Sequence, residues 1–463
     1  MAGLKRVLGL TDIVLFNIVA IVGLRWLLTA SRTGPSATVL WILALVLFFI
    51  PQGLAVTELT TRYPKEGGIY AWAKLAFGDT HGYIAGWCYW VNNLIYYPSL
   101  LIFLASNALY MGGARWLGWE TNPLYITLFS LVVLWLALGL NIVGLSVGRW
   151  VNNIGGFGQW VPVLAILGAG AYALSTGPSA TTFTASNIWP DLSRPGTISF
   201  WATMCFAFAG LELASVMSGE IKDPRRTIPR GIIISGVMIT FIYILGTLSL
   251  QVVLPLEETS ILSGLPQAIS YIFQDTGWVW LGALTALAIT VGGTGGVSAW
   301  LGATARIPYV AGLDNFLPPA LARLHPKYGT PHISLIWQGI FSSLFIIMAV
   351  AGSTVKEAYI VLIDATLIIY FIPYLYLFLS LVKLRPRGAQ ATGEGIIPVP
   401  GGKAGLYLVA GAGLFSTVVS IGLSLVPGED ISNPLIFEIK VVGGCLLFLV
   451  LGWVLYHYYS PPK

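Results

Sequence analysis

Two apolar segments of the chain each combine a glycine with a charged residue, a combination that is rare inside membrane-spanning helices. The first holds Gly23 and Arg25, and the second holds Gly210 and Glu212. Ionised side chains and unpaired backbone groups are costly in lipid, so such breaks persist only beside a protein-walled or water-filled cavity. Each break stands near the start of a hydrophobic stretch roughly five helices long. Matched breaks of this kind indicate the substrate site of a secondary transporter.

The first break could expose backbone groups that bind a carboxylate. Glycine lacks a Cβ atom, and the β-branched residues before Gly23 are weaker helix formers than alanine. The freed N–H groups of residues 23–26 would form the positive end of a half-helix, which attracts anions. We therefore expect Ile21, Val22, Gly23 and Leu24 to contact a substrate. The alternative is a lone glycine that packs against a neighbouring helix, as in many membrane bundles.

Arg25 and Glu212 are the charged residues of the two breaks, and each allows more than one role. Arg25 could bind a substrate carboxylate through a bidentate contact, or it could extend its guanidinium to the outer membrane interface. Glu212 is either protonated or hydrogen-bonded to freed backbone amides. Its role is either proton sensing and gating or the structural fixing of the unwound segment.

The composition of the whole chain indicates an all-α polytopic membrane protein. Of the 463 residues, 56% are hydrophobic and 9% are charged, and the mean hydropathy is +0.80. Divided into apolar runs of about 20 residues, the chain contains roughly 12 spans. The predicted spans are 10–31, 36–61, 80–112, 122–143, 153–175, 197–218, 230–253, 276–305, 333–351, 356–382, 405–425 and 437–458.

The distribution of charge and the spacing of cysteine and histidine residues exclude some classes of function. Most of the 24 Lys and Arg residues fall on one side of the membrane if both termini are cytoplasmic, and the positive-inside rule favours that orientation. The net charge of +5 then follows from topology and does not indicate nucleic-acid binding. Three cysteines and four histidines form no ligand-spaced cluster, so neither a metal nor another cofactor is expected.

The spans group into two sets of five followed by two more. Because five is odd, two such sets run in opposite directions across the bilayer, as inverted repeats do in alternating-access carriers. We therefore predict a first repeat at 1–180, a second repeat at 190–385, and a cytoplasmic loop with two peripheral helices at 386–463. A channel is an alternative, although the sequence holds nothing similar to a carbonyl filter or a ring of acidic residues.

Several motifs resemble the amino acid–polyamine–organocation transporter superfamily. They are 66–72 (EGGIYAW), 206–212 (FAFAGLE), 220–230 (EIKDPRRTIPR), 305–309 (ARIPY), 317–319 (LPP) and 400–403 (PGGK). The first and last of them, with 49–51 (FIP), are most similar to the bacterial glutamate/GABA antiporter branch. The resemblance implies a LeuT-type 5+5 inverted repeat and exchange of amino acids across the cytoplasmic (inner) membrane of a prokaryote.

The resemblance also implies further site residues. In the second break, Phe206 aligns with the aromatic residue that caps the substrate, with Ala207, Phe208 and Gly210 beside it. The alternative is that Phe206 is a core residue. In span three, Asn93 aligns with a substrate-contacting asparagine of the arginine/agmatine antiporter. Tyr96 lies on the same helix face. Val297 of span eight would complete the side-chain pocket.

Two further features are implied by more distant carriers of the same fold. Some close an external gate with an arginine of span one and an aspartate of span ten, which suggests a gate formed by Arg25 and Asp364. Phe206 and Glu212 would take part in gating. Sodium-coupled carriers bind an ion near span eight, where Thr294 and Ser298 stand four residues apart; such a site would need more oxygen ligands from span one.

The sequence thus predicts an amino acid permease that binds an amino acid, is embedded in lipid and does not bind nucleic acid. Polyamine transport by the same fold is the main alternative and would favour several cavity carboxylates, of which only Glu212 and Asp364 are evident. A membrane enzyme would need a nucleophile with a base or a metal cluster, and the spans of the predicted site supply neither. A homodimer is left open.

Overall fold

The structure is a computed structural model that describes residues 6–120, 122–191, 195–255, 260–350, 355–387, 395–426 and 433–460. Lys5, Arg194 and Lys463, which enter the charge distribution used to predict orientation, lie outside these residues. Within the described residues the chain is helical. The α-helices are α1 (Leu10–Ile21), α2 (Leu24–Ser31), α3 (Ala37–Ala44), α4 (Ile50–Arg62), α5 (Ile69–Phe77), α6 (Asp79–Ala108), α7 (Ala114–Leu117), α8 (Pro123–Val143), α9 (Leu145–Thr176), α10 (Pro195–Phe208), α11 (Leu213–Val216), α12 (Pro224–Val253), α13 (Gly264–Ile272), α14 (Trp280–Thr304), α15 (Arg306–Leu313), α16 (His332–Val350), α17 (Val355–Arg387), α18 (Gly402–Leu423) and α19 (Pro434–Tyr459).

Many of these helices are long and apolar enough to cross a membrane. Nine pass by length and hydropathy within the described residues, and the bent pair α1 and α2 raises the number to 10. Two shorter apolar helices, Ser199–Phe208 and His332–Met348, match the predicted spans six and nine. The all-α polytopic membrane fold is therefore confirmed. The count of twelve and the repeat boundaries 1–180, 190–385 and 386–463 stay predictions.

Two predicted spans are broken near their middle. The axes of α1 and α2 differ by 41°, and Val22 and Gly23 link them in an extended conformation. Residues 209–212 separate α10 from α11. In addition, a π-helical turn at Leu45–Phe49 joins α3 to α4, which suits a helix that bends around its neighbours. The breaks interrupt hydrogen bonding inside the bundle, where protein groups can replace the lost partners.

Glycine allows the central helices to pack backbone to backbone. A Cβ atom added at Gly155 of α9 would lie 2.8 Å from the Cα atom of Gly295 in α14, and one added at Gly158 would lie 2.8 Å from the backbone nitrogen of Gly292. Such contact is closer than any real Cβ atom tolerates. The glycine-rich sequence of span eight therefore brings α14 against α9, as small residues do at membrane-helix interfaces.

The outer helix faces are apolar and exposed. On α8, Leu128, Val132 and Leu136 recur every four residues and are 53%, 63% and 56% exposed. Exposed leucine and valine at this spacing suit a helix that faces lipid hydrocarbon. Helices α18 and α19 both pack against α17.

Candidate functional site

The first break leaves two backbone donors of α2 without a partner in the described part of the chain. The N–H of Gly23 donates to the hydroxyl of Tyr243 at 3.1 Å, and the N–H of Trp26 donates to the Gly23 carbonyl at 2.9 Å. Within the described residues, the N–H groups of Leu24 and Arg25 make no hydrogen bond. These two donors lie at the N-terminus of α2, where the helix dipole adds positive potential.

Tyr243 of α12 connects the two breaks. Its hydroxyl donates to the carbonyl of Ile21 at 2.5 Å and lies 3.1 Å from the carbonyl of Ala207. The indole N–H of Trp300 donates to the neighbouring carbonyl of Ala20 at 2.7 Å. The backbone acceptors that helix interruption exposes are therefore partly satisfied by side chains, which allows the extended segment to stay buried.

Gly210 sets the shape of the second break. Its φ of +125° lies in a region that residues with a Cβ atom rarely adopt. A Cβ atom at this position would also meet the Cγ1 atom of Ile21 at 2.9 Å. The Gly210 N–H donates to the hydroxyl of Tyr374 at 2.9 Å. The two breaks are therefore in direct contact, and glycine is required at the point where they meet.

Four side chains surround the buried carboxylate of Glu212. Its Oε1 atom accepts hydrogen bonds from the hydroxyls of Tyr89 at 2.8 Å and Tyr370 at 2.7 Å. Its Oε2 atom accepts from Tyr374 at 2.5 Å and from the amide of Gln52 at 2.9 Å. Each oxygen atom of the carboxylate therefore accepts two hydrogen bonds. The sequence predicted freed backbone amides or a proton as partners, whereas the structure supplies side chains from α4, α6 and α17.

Two adjoining cavities lie at the breaks. Cavity 1 is lined by five aromatic residues together with Asn92 and Asn93; the aromatic residues are Trp26, Tyr96, Phe206, Trp300 and Tyr370. Cavity 2 is lined by residues of the first break and by α6, α9 and α14. Tyr96 and Trp300 line both cavities and lie between them.

Most of the residues predicted to contact a substrate line these cavities. Ile21, Asn93, Tyr96, Phe206 and Ala207 line cavity 1. Val22, Gly23, Leu24 and Arg25 line cavity 2.

Phe208, Gly210 and Val297 line neither cavity. Phe208 stacks on Phe49 at a ring-centroid distance of 4.5 Å and is a core residue. Val297 is fully buried, and Gly210 contributes backbone shape rather than a surface.

Aromatic rings form the wall of cavity 1. Phe206 packs edge-on against Trp26 at 5.5 Å and against Tyr370 at 5.2 Å, and Tyr96 packs against Trp300 at 5.7 Å between ring centroids. The Oδ1 atoms of Asn92 and Asn93 are buried without hydrogen-bond partners among the described residues, while the Asn93 amide donates to the Tyr89 carbonyl. Cavity 1 therefore offers π-faces and carbonyl-type acceptors, which suit a cationic amine.

The structure does not bring Arg25 and Asp364 together. Within the described residues, no ion pair joins them, and the Arg25 guanidinium instead donates to the Ser99 hydroxyl at 3.0 Å. On α17, Asp364 shares the partly exposed face with Val361 and Ile368. The buried face of that helix is formed by other residues. Since each residue turns a helix by about 100°, the predicted gate pair would require α17 to rotate, and it is not formed in this conformation.

The predicted ion site also separates into unrelated contacts. The hydroxyl of Thr294 donates to the carbonyl of Thr290 at 2.7 Å within α14. The hydroxyl of Ser298 accepts from the amide of Asn141 in α8 at 2.9 Å. Gly296 of α14 faces the first break, because a Cβ atom added to it would lie 3.2 Å from the Val19 carbonyl. Thr294 and Ser298 are therefore not gathered around one ion position here.

The family model for amino acid permeases matches residues 8–447. The chain belongs to the amino acid permease family. An uncharacterised transporter of Legionella pneumophila is 30% identical over 97% of this chain and 96% of its own length. A probable agmatine/putrescine antiporter of Lactococcus lactis is 24% identical over 91% of this chain and 88% of its own. A glutamate/γ-aminobutyrate antiporter of the same species is 24% identical over 84% of this chain and 77% of its own.

The family confirms several predictions made from the sequence. The chain is a transporter of the amino acid–polyamine–organocation superfamily, it is embedded in a membrane, and it is not an enzyme. The substrate is a small molecule, either an amino acid or an amine. The placement of the two termini and the identity of the substrate stay predictions.

Several residues of the permease site were not predicted from the sequence. Tyr243, Trp300, Tyr370 and Tyr374 contact the breaks or the Glu212 carboxylate. Tyr370 and Tyr374 stand four residues apart, which places both hydroxyls on one face of α17. That spacing is the signal in the sequence that could have identified Tyr370 and Tyr374. Tyr243 and Trp300 gave no such signal, since isolated tyrosines and tryptophans are common in membrane helices.

Three of the motifs found in the sequence, 66–72, 220–230 and 305–309, meet at one end of the bundle. Glu220 and Arg306 form a buried ion pair, with Glu220 Oε1 and Oε2 at 2.7 Å and 2.9 Å from Arg306 Nη2. Glu66 lies beside this pair, because a Cβ atom at Gly219 would be 2.7 Å from its Oε2 atom. Val7 donates its backbone N–H to the Glu220 carbonyl, so the N-terminal segment closes over the same end.

Glu66 makes this end of the permease sensitive to pH. Burial raises the pKa of Glu66 from 4.5 to about 7; the Arg306 charge opposes this rise and Glu220 adds to it. Tyr309 is the other titratable group that faces Glu66. Because the folded state holds the proton more tightly than the unfolded chain, stability should rise as the pH falls through about 7 and level off near 4.5.

The measurement is the melting temperature of the purified permease between pH 8 and pH 5, compared with Glu66→Gln. We expect the wild type to gain stability over Glu66→Gln as the pH falls, because glutamine does not titrate. Asp275→Asn, at an exposed loop position, serves as the control and should leave the profile unchanged. Parallel profiles for the wild type and Glu66→Gln would contradict the prediction.

Proposed function

We propose that this permease exchanges amino acids across the cytoplasmic membrane by alternating access, with the substrate held where the two broken helices meet. The observation that carries the proposal is the first break, where the N–H groups of Leu24 and Arg25, at the N-terminus of α2, have no partner among the described residues. A helix N-terminus with free donors binds a carboxylate well. Buried backbone N–H groups in proteins are nearly always hydrogen-bonded, so free ones beside a cavity favour a bound ligand.

The ammonium group of the substrate would lie in cavity 1. The unpartnered Oδ1 atoms of Asn92 and Asn93 supply acceptors there, and the rings of Trp26, Phe206 and Tyr370 supply π-faces. The Ile21 and Ala207 carbonyls already contact Tyr243. We therefore assign amine recognition mainly to the asparagines and the aromatic wall rather than to backbone carbonyls alone.

Movement would occur between the two repeats, 1–180 and 190–385, around this fixed site. Phe206 would close the aromatic wall over the substrate, and Glu212 would hold the second break to α4, α6 and α17 through its four donors. Because both breaks contact each other at Ile21 and Gly210, a change in one is transmitted to the other.

A counterflow experiment in proteoliposomes tests the proposal. Vesicles loaded with one unlabelled compound from a panel of the twenty amino acids, 4-aminobutyrate, agmatine and putrescine would take up the same radiolabelled compound. We expect accelerated uptake for at least one amino acid, with protein-free vesicles as the control. If no amino acid drives counterflow or competes for uptake, the proposed function is wrong; uptake without any acceleration by an internal substrate would indicate a channel.

A further inference from the structure

Arg25 is a buried cation that the protein leaves largely unsatisfied. Its side chain is fully buried, and Nη1 donates to Ser99 at 3.0 Å. The Nε and Nη2 atoms have no hydrogen-bond partner among the described residues. The guanidinium carbon lies 4.2 Å from the Trp26 ring centroid and 4.7 Å from that of Tyr96. The two rings hold the guanidinium in place, but they leave its two free donors without an acceptor.

Within the part of the chain that the structure describes, no carboxylate lies beside the guanidinium. None of the described residues that line cavity 2 carries a carboxylate. Asp364 lies on another face of α17, and Glu212 is occupied by four other donors. A buried arginine that served only the fold would have a paired carboxylate, because an unpaired buried charge is strongly unfavourable.

Other unsatisfied donors converge near the same place. The Tyr359 hydroxyl is buried beside the Arg25 guanidinium, but it makes no hydrogen bond of standard geometry to Arg25 or to any other described residue. The backbone N–H groups of Leu24 and Arg25 also donate to no acceptor within the described ranges. A planar group with two oxygen atoms would satisfy a guanidinium edge through parallel hydrogen bonds, as carboxylates do.

We propose that the Arg25 side chain binds the carboxylate of the substrate and makes that group obligatory, so that amines without a carboxylate are rejected. This inference rests on the proposed function, since it identifies a feature of the same site. Cavity 1, with its acceptors and π-faces, receives the ammonium end, and cavity 2 receives the carboxylate end. A diamine would place its second ammonium beside the Arg25 charge, where like charges repel at low dielectric.

The proposal separates this permease from its relative described as a probable agmatine/putrescine antiporter. Both agmatine and putrescine lack a carboxylate, whereas glutamate and 4-aminobutyrate, named for another relative, both have one. Arg25 would therefore be a specificity-determining residue that rejects the first pair of compounds.

The experiment compares each amino acid with the amine that lacks its α-carboxylate. Serine is paired with ethanolamine, arginine with agmatine and ornithine with putrescine, and the remaining neutral and basic amino acids are paired in the same way. Glutamate and aspartate are left out of the comparison, because their amines keep a side-chain carboxylate. In the wild type, removal of the carboxylate should raise the inhibition constant by about 100-fold or more for every amino acid that competes. In Arg25→Gln, the amino acid should lose most of that advantage while its amine binds no more weakly than before.

Two further variants keep the outcome interpretable. Arg25→Lys retains the charge but not the bidentate geometry and should show intermediate discrimination. Arg115→Gln removes an exposed arginine of α7. It should leave unchanged the ratio of the inhibition constant of each amine to that of its amino acid. The elution profile and the melting temperature show whether Arg25→Gln folds. If it does not, the ratio of inhibition constants measured for Arg25→Lys tests the proposal in its place.

The possible results distinguish an error in the role of Arg25 from an error in the proposed function. Wild-type competition by putrescine or agmatine as strong as that by an amino acid would overturn the role of Arg25, and so would unchanged discrimination in Arg25→Gln. In both cases amino acid transport itself stands. If no amino acid competes in the wild type, both the proposed function and this inference are wrong.

Discussion

Replacement of Arg306 by glutamine is expected to destabilise the folded permease by about 3–5 kcal/mol, because it leaves a buried carboxylate without its partner. Both oxygen atoms of Glu220 accept from Arg306 Nη2, and Nε lies 3.3 Å from Oε1. The side chains are 3% and 0% exposed. Arg306 Nη1 also donates to the Gly302 carbonyl, which joins α14 to the pair. Glutamine would keep part of the packing but neither the charge nor the fork of donors.

The effect of Arg306→Gln would be measured as the free energy of unfolding in detergent, with Glu220→Gln as the reciprocal variant. The double variant should recover part of the loss, because neither buried charge is then left alone. Arg226→Gln is the matched control: its nitrogen lies 3.7 Å from Asp223 and both side chains are exposed, so we expect a change of less than about 1 kcal/mol. A loss for Arg306→Gln no larger than that of the control would contradict the prediction.

The positions of the spans and of the breaks could be predicted because they depend on composition and on glycine. Apolar runs of membrane length give helices wherever they occur, since every backbone group must be satisfied within the chain. The breaks at Gly23 and Gly210 follow from the same rule, because a helix interruption is tolerated only beside a cavity. The predicted span bounds accordingly agree with the helices to within several residues.

The partners of the charged residues could not be predicted in the same way. A pairing across the bundle depends on how each helix is rotated, and an error of one residue turns a side chain by about 100°. For α17 this difference separates Asp364 from the buried face, where Tyr370 reaches Glu212. Asp364 was predicted to pair with Arg25 because it is acidic. In the structure a tyrosine, Tyr359, lies near Arg25 instead.

Replacement of Gly210 by alanine is expected to slow amino acid exchange by a factor of about 5 to 150. At a φ of +125° a residue with a Cβ atom is strained, at a cost of about 1–3 kcal/mol. The added Cβ atom would also lie 2.9 Å from Cγ1 of Ile21 and 3.5 Å from the Trp300 ring. We expect the strain to be relieved when the breaks separate, so that it shifts the equilibrium between conformations more than the stability of the whole bundle.

Initial rates of counterflow in proteoliposomes with equal protein content measure this effect, with the melting temperature as a check on folding. Gly411→Ala is the matched control, because Gly411 lies within α18 and nothing stands within 4 Å of its added Cβ atom. That variant should exchange at the wild-type rate and be unchanged or slightly more stable, since alanine favours a helix over glycine by about 0.5–1 kcal/mol. Equal rates for Gly210→Ala and the wild type would mean that the two breaks move independently, and the coupling of the two repeats through Ile21 would have to be abandoned.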